Sequence, residues 1–559
     1  MPPVAPTAPP ASLRPKHPVG ATVAGILELT GARLNQPGGS GDVRLSGVTL
    51  RAQDVRPGDL FAALPGTRSH GSRYAVDAVA AGAVAVLTDP PGADDIDRAP
   101  PLGVPVLVAD TPRALLGAIA RTIYGDPSRT VAVVGITGTS GKTTTCYLLE
   151  AALGADGSKT GLIGTVQTRI GGDLAPSALT TPEAPDLQAL FAVMLERGVS
   201  VVAMEVSSHA LSLGRVSGTG FAVGAFTNLS QDHLDFHQDM EQYFAAKALL
   251  FDGRAARHVV DIDTSYGARL AAAHPDALTV SGSGGAADWS ATSVRVSTTG
   301  IQHVTLQGPP AGGSGQPRIV TLDLAIPGAF NVANATLAMA CVDALGRDVQ
   351  RAADALAGVV VPGRMERVDA GQDFLAVVDY AHKPAALAAV LDAIKDGLAG
   401  RLVVVVGAGG DRDTGKRPLM GAEAAARADL LIVTDDNPRS EQPAAIRAEL
   451  LRGAREAALE SGAEVREIGD RRAAIRSAVG AAGTGDAVVI AGKGHELGQE
   501  IDGAVHPFSD RSELRDALVE LAGPAGRGDP AVGAPGQPAG PTSLHGVTDP
   551  IVAARRTRP

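Results

Sequence analysis

A buried strand that runs into a glycine-rich loop and then into a helix constrains this chain more than any other feature. The strand is VAVVGI at 131–136, and the loop TGTSGKT follows it directly. Gly138 and Gly141 let the backbone turn tightly, so that its N–H groups can point at phosphate oxygens. Lys142 would then reach the β- and γ-phosphates of a nucleotide, and the Thr143 hydroxyl would bind Mg²⁺. The strict P-loop spacing needs a glycine where the chain has Ile136, so this loop is a variant.

Apolar strands, glycine-rich loops and helices alternate over most of the chain. The alternation predicts three α/β blocks, at 19–127, 128–361 and 362–522. Strands that are apolar throughout, such as LVVVVGAGG in the last block, indicate parallel sheets covered by helices. A more polar stretch at 280–325 suggests an antiparallel insertion. Residues 1–18 and 523–559 are rich in proline, glycine and alanine, and we expect flexible tails there.

Composition excludes several classes of protein. Of the 559 residues, 45% are hydrophobic and 19% are charged, which is typical of a globular protein. Only two cysteines are present, Cys146 and Cys341, which excludes a disulfide scaffold or a cysteine-rich zinc module. The net charge of −11 argues against a nucleic-acid partner. Because the sequence has no apolar run of about 20 residues and no secretory signal, we expect a cytoplasmic protein without a membrane span.

A second group of polar residues follows two strands of the middle block. Glu205 ends the strand in VVAMEV, and AVGAFTNL leads into SQDHLDFH, which supplies Asp232, His233, Asp235 and His237. A carboxylate and a neutral imidazole at neighbouring strand ends could share Mg²⁺ with a nucleotide. The alternative is that the histidines are hydrogen-bonded loop residues. The spacing lacks the glutamate of a zinc protease motif, so that class is rejected.

Lys247 lies in EQYFAAKALLF, which reads as an amphipathic helix. It is either a surface lysine or a positive charge that faces phosphate. A free ammonium cannot bind a cation, so the residues alone give it no place in a metal site.

Ten ordered motifs between about 20 and 520 resemble those of the Mur ligases, the cytoplasmic ATP-dependent amino-acid ligases of peptidoglycan synthesis. They are GITGTSGKTT, MEVSSHAL, NLSQDHLDFH, the lysine of FAAK, PGAFNVANA, VPGRMERV, VDYAHKP, GGDRDTGKRP, DDNPRSE and AGKGHE. The resemblance implies three α/β domains that match the three blocks. A small N-terminal domain would hold the UDP end of the substrate, a central P-loop-type ATPase domain with a parallel sheet would hold ATP, and a C-terminal Rossmann-like domain would hold the incoming amino acid. We expect a monomer.

The resemblance also implies roles for individual residues. Lys247 would react with CO₂ to give a carbamate (N6-carboxylysine), an anion that can bind Mg²⁺, and the Mg²⁺ ligands would be Thr143, Glu205 and His233. Asp379 and His382 would close over ATP. The implied ATP contacts are Gly138, Thr139, Ser140, Gly141, Lys142, Thr143, Thr144, Asn331 and Arg364. The implied contacts to the UDP-linked substrate are Thr67, Arg68, Ser69, Thr180, Thr181, Ser207 and Arg215.

The last block resembles the branch of the family that adds diaminopimelate. The implied amino-acid contacts are Arg412, Asp436, Asn437, Pro438, Arg439, Gly492 and Glu496. An arginine can pair bidentately with the distal carboxylate of meso-diaminopimelate, which L-lysine lacks. The expected reaction joins meso-diaminopimelate to the D-Glu γ-carboxylate of UDP-N-acetylmuramoyl-L-alanyl-D-glutamate (UDP-MurNAc-L-Ala-D-Glu) through an acyl phosphate. His209 is a weak candidate for the base that deprotonates the amine.

Alternative readings are a lysine-adding ligase, a folylpolyglutamate synthase, or a nucleotide-gated scaffold without chemistry. DNPR and SSHAL argue against the first two, and the intact loop and Lys247 argue against the third. The chain also departs from the family pattern where the first-domain motif DSR reads Thr49-Leu50-Arg51, and at Asp261-Ile262-Asp263-Thr264, Ser140 and Ala408.

Overall fold

The computed structural model describes residues 13–35, 42–66, 69–176, 179–234, 236–297, 300–310 and 315–522. The expected tail at 523–559 and most of the one at 1–18 lie outside this range. Three large sheets organise the described chain, and each is covered by helices. This is the α/β fold that the alternating strands and helices predict.

The first sheet has five strands in the order β2-β7-β6-β5-β4. All neighbours are parallel except β2 and β7. A short β1–β3 pair lies beside it. The elements in chain order are β1 (Ala21–Thr22), α1 (Val23–Thr30), β2 (Arg33–Leu34), β3 (Arg44–Leu45), β4 (Gly47–Thr49), β5 (Asp59–Ala63), α2 (Ala75–Ala80), β6 (Ala85–Thr88), α3 (Pro90–Asp97), β7 (Val106–Val108) and α4 (Pro112–Ile123).

The second sheet has eleven described strands in the order β11-β10-β9-β12-β8-β13-β14-β15-β16-β17-β18. Its strands are β8 (Ala132–Thr137), β9 (Thr160–Ile163), β10 (Thr168–Ile170), β11 (Asp173–Ala175), β12 (Val201–Glu205), β13 (Val223–Phe226), β14 (His258–Asp261), β15 (Leu278–Ser281), β16 (Trp289–Val296), β17 (Gln302–Gly308) and β18 (Arg318–Leu324). Its helices are α5 (Lys142–Gly154), α6 (Ala184–Glu196), α7 (Ser208–Ser212), α8 (Met240–Ala248), α9 (Ser265–Ala273), α10 (Ala329–Ala344) and α11 (Val349–Asp354).

The polar stretch at 280–325 forms the antiparallel strands β16, β17 and β18. They do not stand apart from the parallel strands, because β16 pairs in parallel with β15 and continues the same sheet. Their inward side chains alternate with exposed ones, which is why this stretch is more polar than the buried strands. Trp289 is fully buried at this junction, and its indole N–H donates to Asp343 Oδ2 at 3.2 Å.

The third sheet has six strands in the order β19-β20-β24-β21-β22-β23, and a separate β25–β26 hairpin follows it. Only the β19–β20 pair of the six is antiparallel. The elements are β19 (Glu366–Arg367), β20 (Leu375–Asp379), α12 (Pro384–Lys395), β21 (Leu402–Val406), α13 (Lys416–Ala425), β22 (Leu430–Val433), α14 (Pro443–Ser461), β23 (Glu464–Glu467), α15 (Arg471–Ala481), β24 (Ala487–Ala491), β25 (Gly498–Ile501), β26 (Ala504–Pro507) and α16 (Asp510–Ala522).

The core is continuous between the sheets. One hydrophobic cluster contains Val134 of β8 together with Val404 of β21, and another joins Leu60 of β5 to Ala189 of α6. Cys146 and Cys341 are buried free thiols. Within the described ranges, no helix has the length and apolar character needed to cross a membrane.

Candidate active site

The phosphate loop connects the end of β8 to the start of α5. Gly138 has a φ of +145° and Gly141 a φ of +86°. A Cβ atom at Gly138 would overlap the Thr227 hydroxyl, and one at Gly141 would overlap the Asn334 carboxamide. Glycine is therefore required at both positions for conformation and for space.

Residues that follow β13 fix this loop from the side. Asn228 accepts the Thr139 N–H at its carbonyl (2.9 Å) and the Ser140 N–H at Oδ1 (3.0 Å). The Thr227 hydroxyl donates to the Ser140 carbonyl at 2.7 Å. Because β12, β8 and β13 are adjacent in the sheet, their carboxyl ends bring Glu205, the loop and 227–234 to one edge.

Lys142 folds back over its own loop. Its Nζ donates to the carbonyls of Gly138 at 2.9 Å and Thr139 at 3.0 Å. Burial lowers the pKa of Lys142, while the nearby Glu205 carboxylate opposes the shift. The ammonium thus lies over the curve of the loop, where a phosphate chain would be held.

Glu205 is buried, with 1% of its surface exposed. Its Oε1 accepts from the Thr143 hydroxyl at 2.9 Å and from the Thr165 N–H at 2.8 Å. Its Oε2 accepts from the Thr165 hydroxyl at 3.0 Å. A carboxylate and a hydroxyl that lie this close to a phosphate loop are the donor set of Mg²⁺, which takes few protein ligands and completes its shell with phosphate oxygens and water.

His233 lies in the turn after β13, with a φ of +53°. Its Nε2 is 3.1 Å from Asp232 Oδ2, and burial lowers the pKa of His233 to about 4. The ring is therefore neutral near pH 7, the form that binds a metal. Its centroid lies 4.8 Å from that of His209, which also stacks on Phe236 at 4.1 Å.

The described part of the chain contains no group of three His, Cys, Asp or Glu side chains arranged for a metal ion. Asp235, the other acid of this segment, lies outside the described residues. The oxygen donors of Thr143 and Glu205 and the imidazole of His233 are groups that can bind Mg²⁺ together with nucleotide phosphates.

Lys247 is buried on α8, so the surface-lysine interpretation is wrong. Its Nζ donates to the Gly138 carbonyl at 2.8 Å and lies 4.4 Å from the centroid of the Tyr243 ring. Burial lowers the pKa of Lys247 well below its ordinary value, and the charge of Lys142 adds to the effect. The side chain thus reaches the phosphate loop in surroundings that favour the uncharged amine over the ammonium.

Four predicted contacts to the UDP-linked substrate cluster beside Glu205. Thr180 Oγ1 lies 3.1 Å from Thr165 Oγ1, and the Thr181 hydroxyl donates to the Glu205 carbonyl at 2.9 Å. The Ser207 N–H donates to Thr181 Oγ1 at 3.2 Å, and Arg215 Nη1 lies 3.5 Å from the Thr181 carbonyl. These residues line the carboxyl end of β12 next to the phosphate loop.

Of the three predicted contacts in the first block, only Ser69 is described, and it follows the carboxyl end of β5. Thr67 and Arg68 are outside the described residues, and Ser69 is half-buried in the loop that the Gly71 N–H closes on Leu64. On the adjacent strand end, Arg51 pairs with Asp54 and its N–H donates to Thr49 Oγ1 at 3.3 Å.

Asn331 and Arg364, two predicted ATP contacts, reach the phosphate loop through different neighbours. Asn331 is buried at the start of α10 and accepts from Asn334 Nδ2 at 3.0 Å, while Asn334 in turn accepts from Thr145 of α5. Arg364 lies over the Tyr380 ring, 4.2 Å from its centroid, and its charge contributes to the lowered pKa of Lys142.

Asp379 ends β20 and holds two turns together. Its carboxylate accepts the N–H groups of Met365 and Ala381, both at 2.7 Å. The following His382 is half-buried, desolvation of its ring lowers its pKa to about 3, and its Nδ1 lies 2.9 Å from the Tyr380 carbonyl.

Lys383 then crosses to the middle sheet and pairs with Asp232. Burial acts to raise the pKa of Asp232, but the charge and hydrogen bond of Lys383 together with the charges of His233 and Lys142 outweigh it, so the pKa is lowered. The sequence motifs SQDHLDFH and VDYAHKP contain Asp232 and Lys383, but the sequence does not show that the two residues pair.

The predicted amino-acid contacts gather at the carboxyl ends of β21, β22 and β24. Asn437 Nδ2 donates to Glu496 Oε2 at 2.8 Å, and Gly492 has a φ of +115° with Asp436 beside its Cα. Arg439, which follows Pro438, donates to the Gly410 carbonyl and to Glu500. The charges of Arg439 and Arg412 both lower the pKa of Asp411, where the Ser440 hydrogen bonds are the larger cause.

Lys493 and Glu500 are part of this pocket but are missed by sequence reasoning. Lys493 is fully buried and donates to Asn437 Oδ1 at 2.8 Å and Glu496 Oε2 at 3.2 Å. The sequence signal that could have identified Lys493 is its position inside the glycine-rich motif AGKGHE, because the chain has only eight lysines.

These sheets and this loop define a P-loop-type α/β protein with a second polar pocket at the carboxyl ends of the third sheet. Family models match three segments: "Mur ligase family, catalytic domain" at 44–124, "Mur ligase middle domain" at 136–342, and "Mur ligase, glutamate ligase domain" at 363–494. The chain belongs to the Mur ligase family, and it is an ATP-dependent, amide-bond-forming ligase. The family predicted from the ten motifs is confirmed.

Curated relatives and a solved structure agree with this assignment. A UDP-N-acetylmuramoyl-L-alanyl-D-glutamate–2,6-diaminopimelate ligase of Corynebacterium glutamicum is 55% identical over 86% of this chain and 93% of its own length. A protein of the same name from Streptomyces avermitilis is 50% identical over 91% of this chain and 99% of its own. A solved structure with that enzyme name is 30% identical, with a TM-score of 0.61, over 90% of this chain and 100% of its own.

Proposed function

We propose that this chain joins meso-2,6-diaminopimelate to the D-Glu γ-carboxylate of UDP-N-acetylmuramoyl-L-alanyl-D-glutamate and converts ATP to ADP and phosphate. The observation that carries the proposal is the pairing of two sites. A phosphate loop with Lys142 lies at one edge of the middle sheet, and a pocket containing Arg439, Asn437 and Glu496 lies at the carboxyl edge of the third sheet, whose Lys383 reaches Asp232 beside the phosphate loop. The relatives named for this reaction support it.

ATP is needed because a carboxylate is a poor electrophile with a poor leaving group. Transfer of the γ-phosphoryl to the D-Glu carboxylate forms an acyl phosphate and releases ADP. Lys142 and the N–H groups of 138–143 stabilise the charge on the moving phosphoryl through position and electrostatics. Thr180, Thr181, Ser207 and Arg215, which cluster beside Glu205, hold the acceptor carboxylate near the loop.

Thr143, Glu205 and His233 would hold Mg²⁺ in this proposal, and the ion would supply positive charge to the phosphate oxygens. Lys247 complements them once carbamylated. Its neutral amine attacks CO₂, a C–N bond forms, and a proton leaves to solvent. The product is a carboxylate on a buried stem, directed at the Gly138 end of the loop.

The amine of diaminopimelate then attacks the acyl carbon, a C–N bond forms, and the acyl C–O bond breaks as phosphate leaves with its oxygen and the bonding electrons. Arg439 and Arg412 bind the distal carboxylate, and Glu496 and Asp436 provide counter-charges for an ammonium. Holding the amine and the acyl phosphate together lowers the activation free energy by about 7–11 kcal/mol. His209 is proposed as the base that takes the amine proton.

Product mass spectrometry tests the proposal. The purified chain is incubated with ATP, UDP-MurNAc-L-Ala-D-Glu and equal concentrations of diaminopimelate and L-lysine. We expect the diaminopimelate tripeptide as the main product. A main product that contains lysine would replace the proposal with the lysine-adding reaction, and ADP release without either amino acid would favour the scaffold.

Arg439→Ala sharpens this test. We expect weaker use of diaminopimelate with ATP binding spared, and an equal loss of both would remove Arg439 from the pocket.

The proposal also includes a cytoplasmic, monomeric chain with no nucleic-acid partner, and light scattering on the purified chain checks its mass.

A further inference from the structure

A small hairpin follows the AGKGHE segment and stands apart from the six-stranded sheet. It consists of β25 and β26, paired antiparallel from Gly498↔Pro507 to Ile501↔Ala504. Its residues are half-buried or exposed, so it adds little to the core. Its contacts are instead directed at the loop that carries Asp436 to Arg439.

Four hydrogen bonds attach β25 and its turn to that loop. Gln499 Nε2 donates to the Asp436 carbonyl at 2.7 Å, and the Glu500 N–H donates to Asn437 Oδ1 at 3.0 Å. The Arg439 N–H donates to the Glu500 carbonyl at 3.0 Å, and the Asp502 N–H donates to the Arg439 carbonyl at 2.7 Å. Three of the four pocket positions at 436–439 are therefore held by this strand and its turn.

Arg439 needs this support because its backbone is in the left-handed region, with a φ of +54°. Such a conformation costs free energy for a residue with a Cβ and persists where neighbouring groups enforce it. The two backbone bonds to Glu500 and Asp502 enclose Arg439 and fix the direction in which its side chain leaves the loop.

The guanidinium is held as well as the backbone. Arg439 Nε donates to Glu500 Oε2 at 3.2 Å, and Nη1 donates to the Gly410 carbonyl. Nη2 makes no hydrogen bond with any residue that the structure describes. Glu500 and Gly410 thus hold Nε and Nη1 and leave Nη2 for a ligand carboxylate.

We propose that Glu500 is a positioning residue for amino-acid specificity: the β25–β26 hairpin sets the guanidinium of Arg439 so that it selects an amino acid with a distal carboxylate. This inference rests on the proposed function. An exposed ion pair by itself contributes little, and Glu500 and Arg439 are 41% and 24% exposed. Here backbone hydrogen bonds already fix the positions of Arg439 and Glu500, so little side-chain entropy is lost when their ion pair forms.

The test compares Glu500→Gln with the unchanged chain in steady-state kinetics. We expect the KM for diaminopimelate to rise about tenfold, because a charge-assisted hydrogen bond that orients Arg439 is lost. The KM values for ATP and for the UDP-linked substrate should change less than about twofold, since those sites lie on other sheets. Preference for diaminopimelate over L-lysine should fall with the same factor.

Controls separate positioning from general stability. Glu464→Gln removes an exposed carboxylate of β23 that pairs with Arg466 of the same strand. This variant should change neither the KM values nor the preference for diaminopimelate over L-lysine. Glu500→Asp should recover part of the lost specificity. Gln499→Ala removes the contact to Asp436 and should also raise the KM for diaminopimelate.

Three outcomes overturn the inference: an unchanged KM for diaminopimelate in Glu500→Gln, a lower KM, which would make Glu500 a competitor of the substrate, or an equal rise in the KM for ATP. These differ from failure of the proposed function. In that case the unchanged chain itself would not use diaminopimelate.

Discussion

At the scale of single residues, Lys247 is the side chain whose surroundings limit its chemistry most. It lies inside the protein with its amine against the Gly138 carbonyl and the Tyr243 ring. Burial favours the uncharged form of an amine, and only that form can attack CO₂. The burial that disfavours the ammonium therefore supports the proposed carbamylation of Lys247.

Labelling with ¹³C-bicarbonate tests this expectation. One carbamate signal should appear in the NMR spectrum of the intact chain near neutral pH, and Lys247→Met should lack it. Lowering the pH below the depressed pKa of the amine should remove the signal and the activity together, because the protonated amine cannot hold CO₂. Full activity without a signal would contradict the modification.

Lys142→Met should reduce phosphate release by about 10²–10³-fold, the usual cost of removing one preorganised charge at a transition state. Binding of the UDP-linked substrate, measured by calorimetry, should stay near its original strength. Lys159→Met is the matched control, since that exposed lysine contacts only the Arg197 carbonyl among the described contacts of its side chain. Turnover that survives in Lys142→Met would remove this residue from the proposed ATP site.

At the scale of elements, the end of β14 carries an unusual acid. Asp261 is 6% exposed, and burial raises its pKa to about 7. The unfolded chain loses this proton near pH 4, whereas the folded chain keeps it until about pH 7. Folding therefore binds a proton between these values, and the free energy of unfolding contributed by this group falls as the pH rises towards 7.

Asp261→Asn should stabilise the chain at pH 8 by about 1–3 kcal/mol, because the amide removes the buried charge and still accepts the Asp263 N–H. Urea unfolding at pH 8 and pH 5 measures the effect, which should be smaller at pH 5. Equal effects at both values would mean that Asp261 is already ionised in the folded chain at pH 5.

Strong local patterns account for the elements that the sequence predicts well. Residues that are adjacent in the sequence determine the apolar strand, the glycines with positive φ and the start of the helix at Lys142. The β25–β26 hairpin has no such pattern, because its eight residues are half-buried or exposed and its strands are short. What fixes it is its contact with 436–439, some sixty residues earlier, which no local signal carries.

At the scale of the whole molecule, the Lys383–Asp232 pair connects the third sheet to the loop that holds His233. The two residues are 151 positions apart and belong to different sheets. Sequence motifs identify both segments but do not say which charges face each other, because that depends on how separately built sheets dock. The same holds for the residues that cluster around Glu205.

Lys383→Ala should loosen this connection. We expect a larger radius of gyration by small-angle X-ray scattering and a drop in kcat of about threefold to tenfold, in line with the loss of one partly buried ion pair. Lys395→Ala, on the exposed face of α12, is the control. An unchanged scattering profile with lower kcat would assign Lys383 to the chemistry instead of to the connection between sheets.

Trp289 is the single tryptophan of the chain, and it lies sealed where β15 meets the antiparallel strands, under Arg318 and against Gly308. Its emission therefore reports on one corner of the middle sheet. Tryptophan fluorescence should change when this part of the middle sheet unfolds and should stay constant when the first or third sheet moves as a unit. Measuring such a movement by fluorescence therefore requires a dye attached elsewhere on the chain.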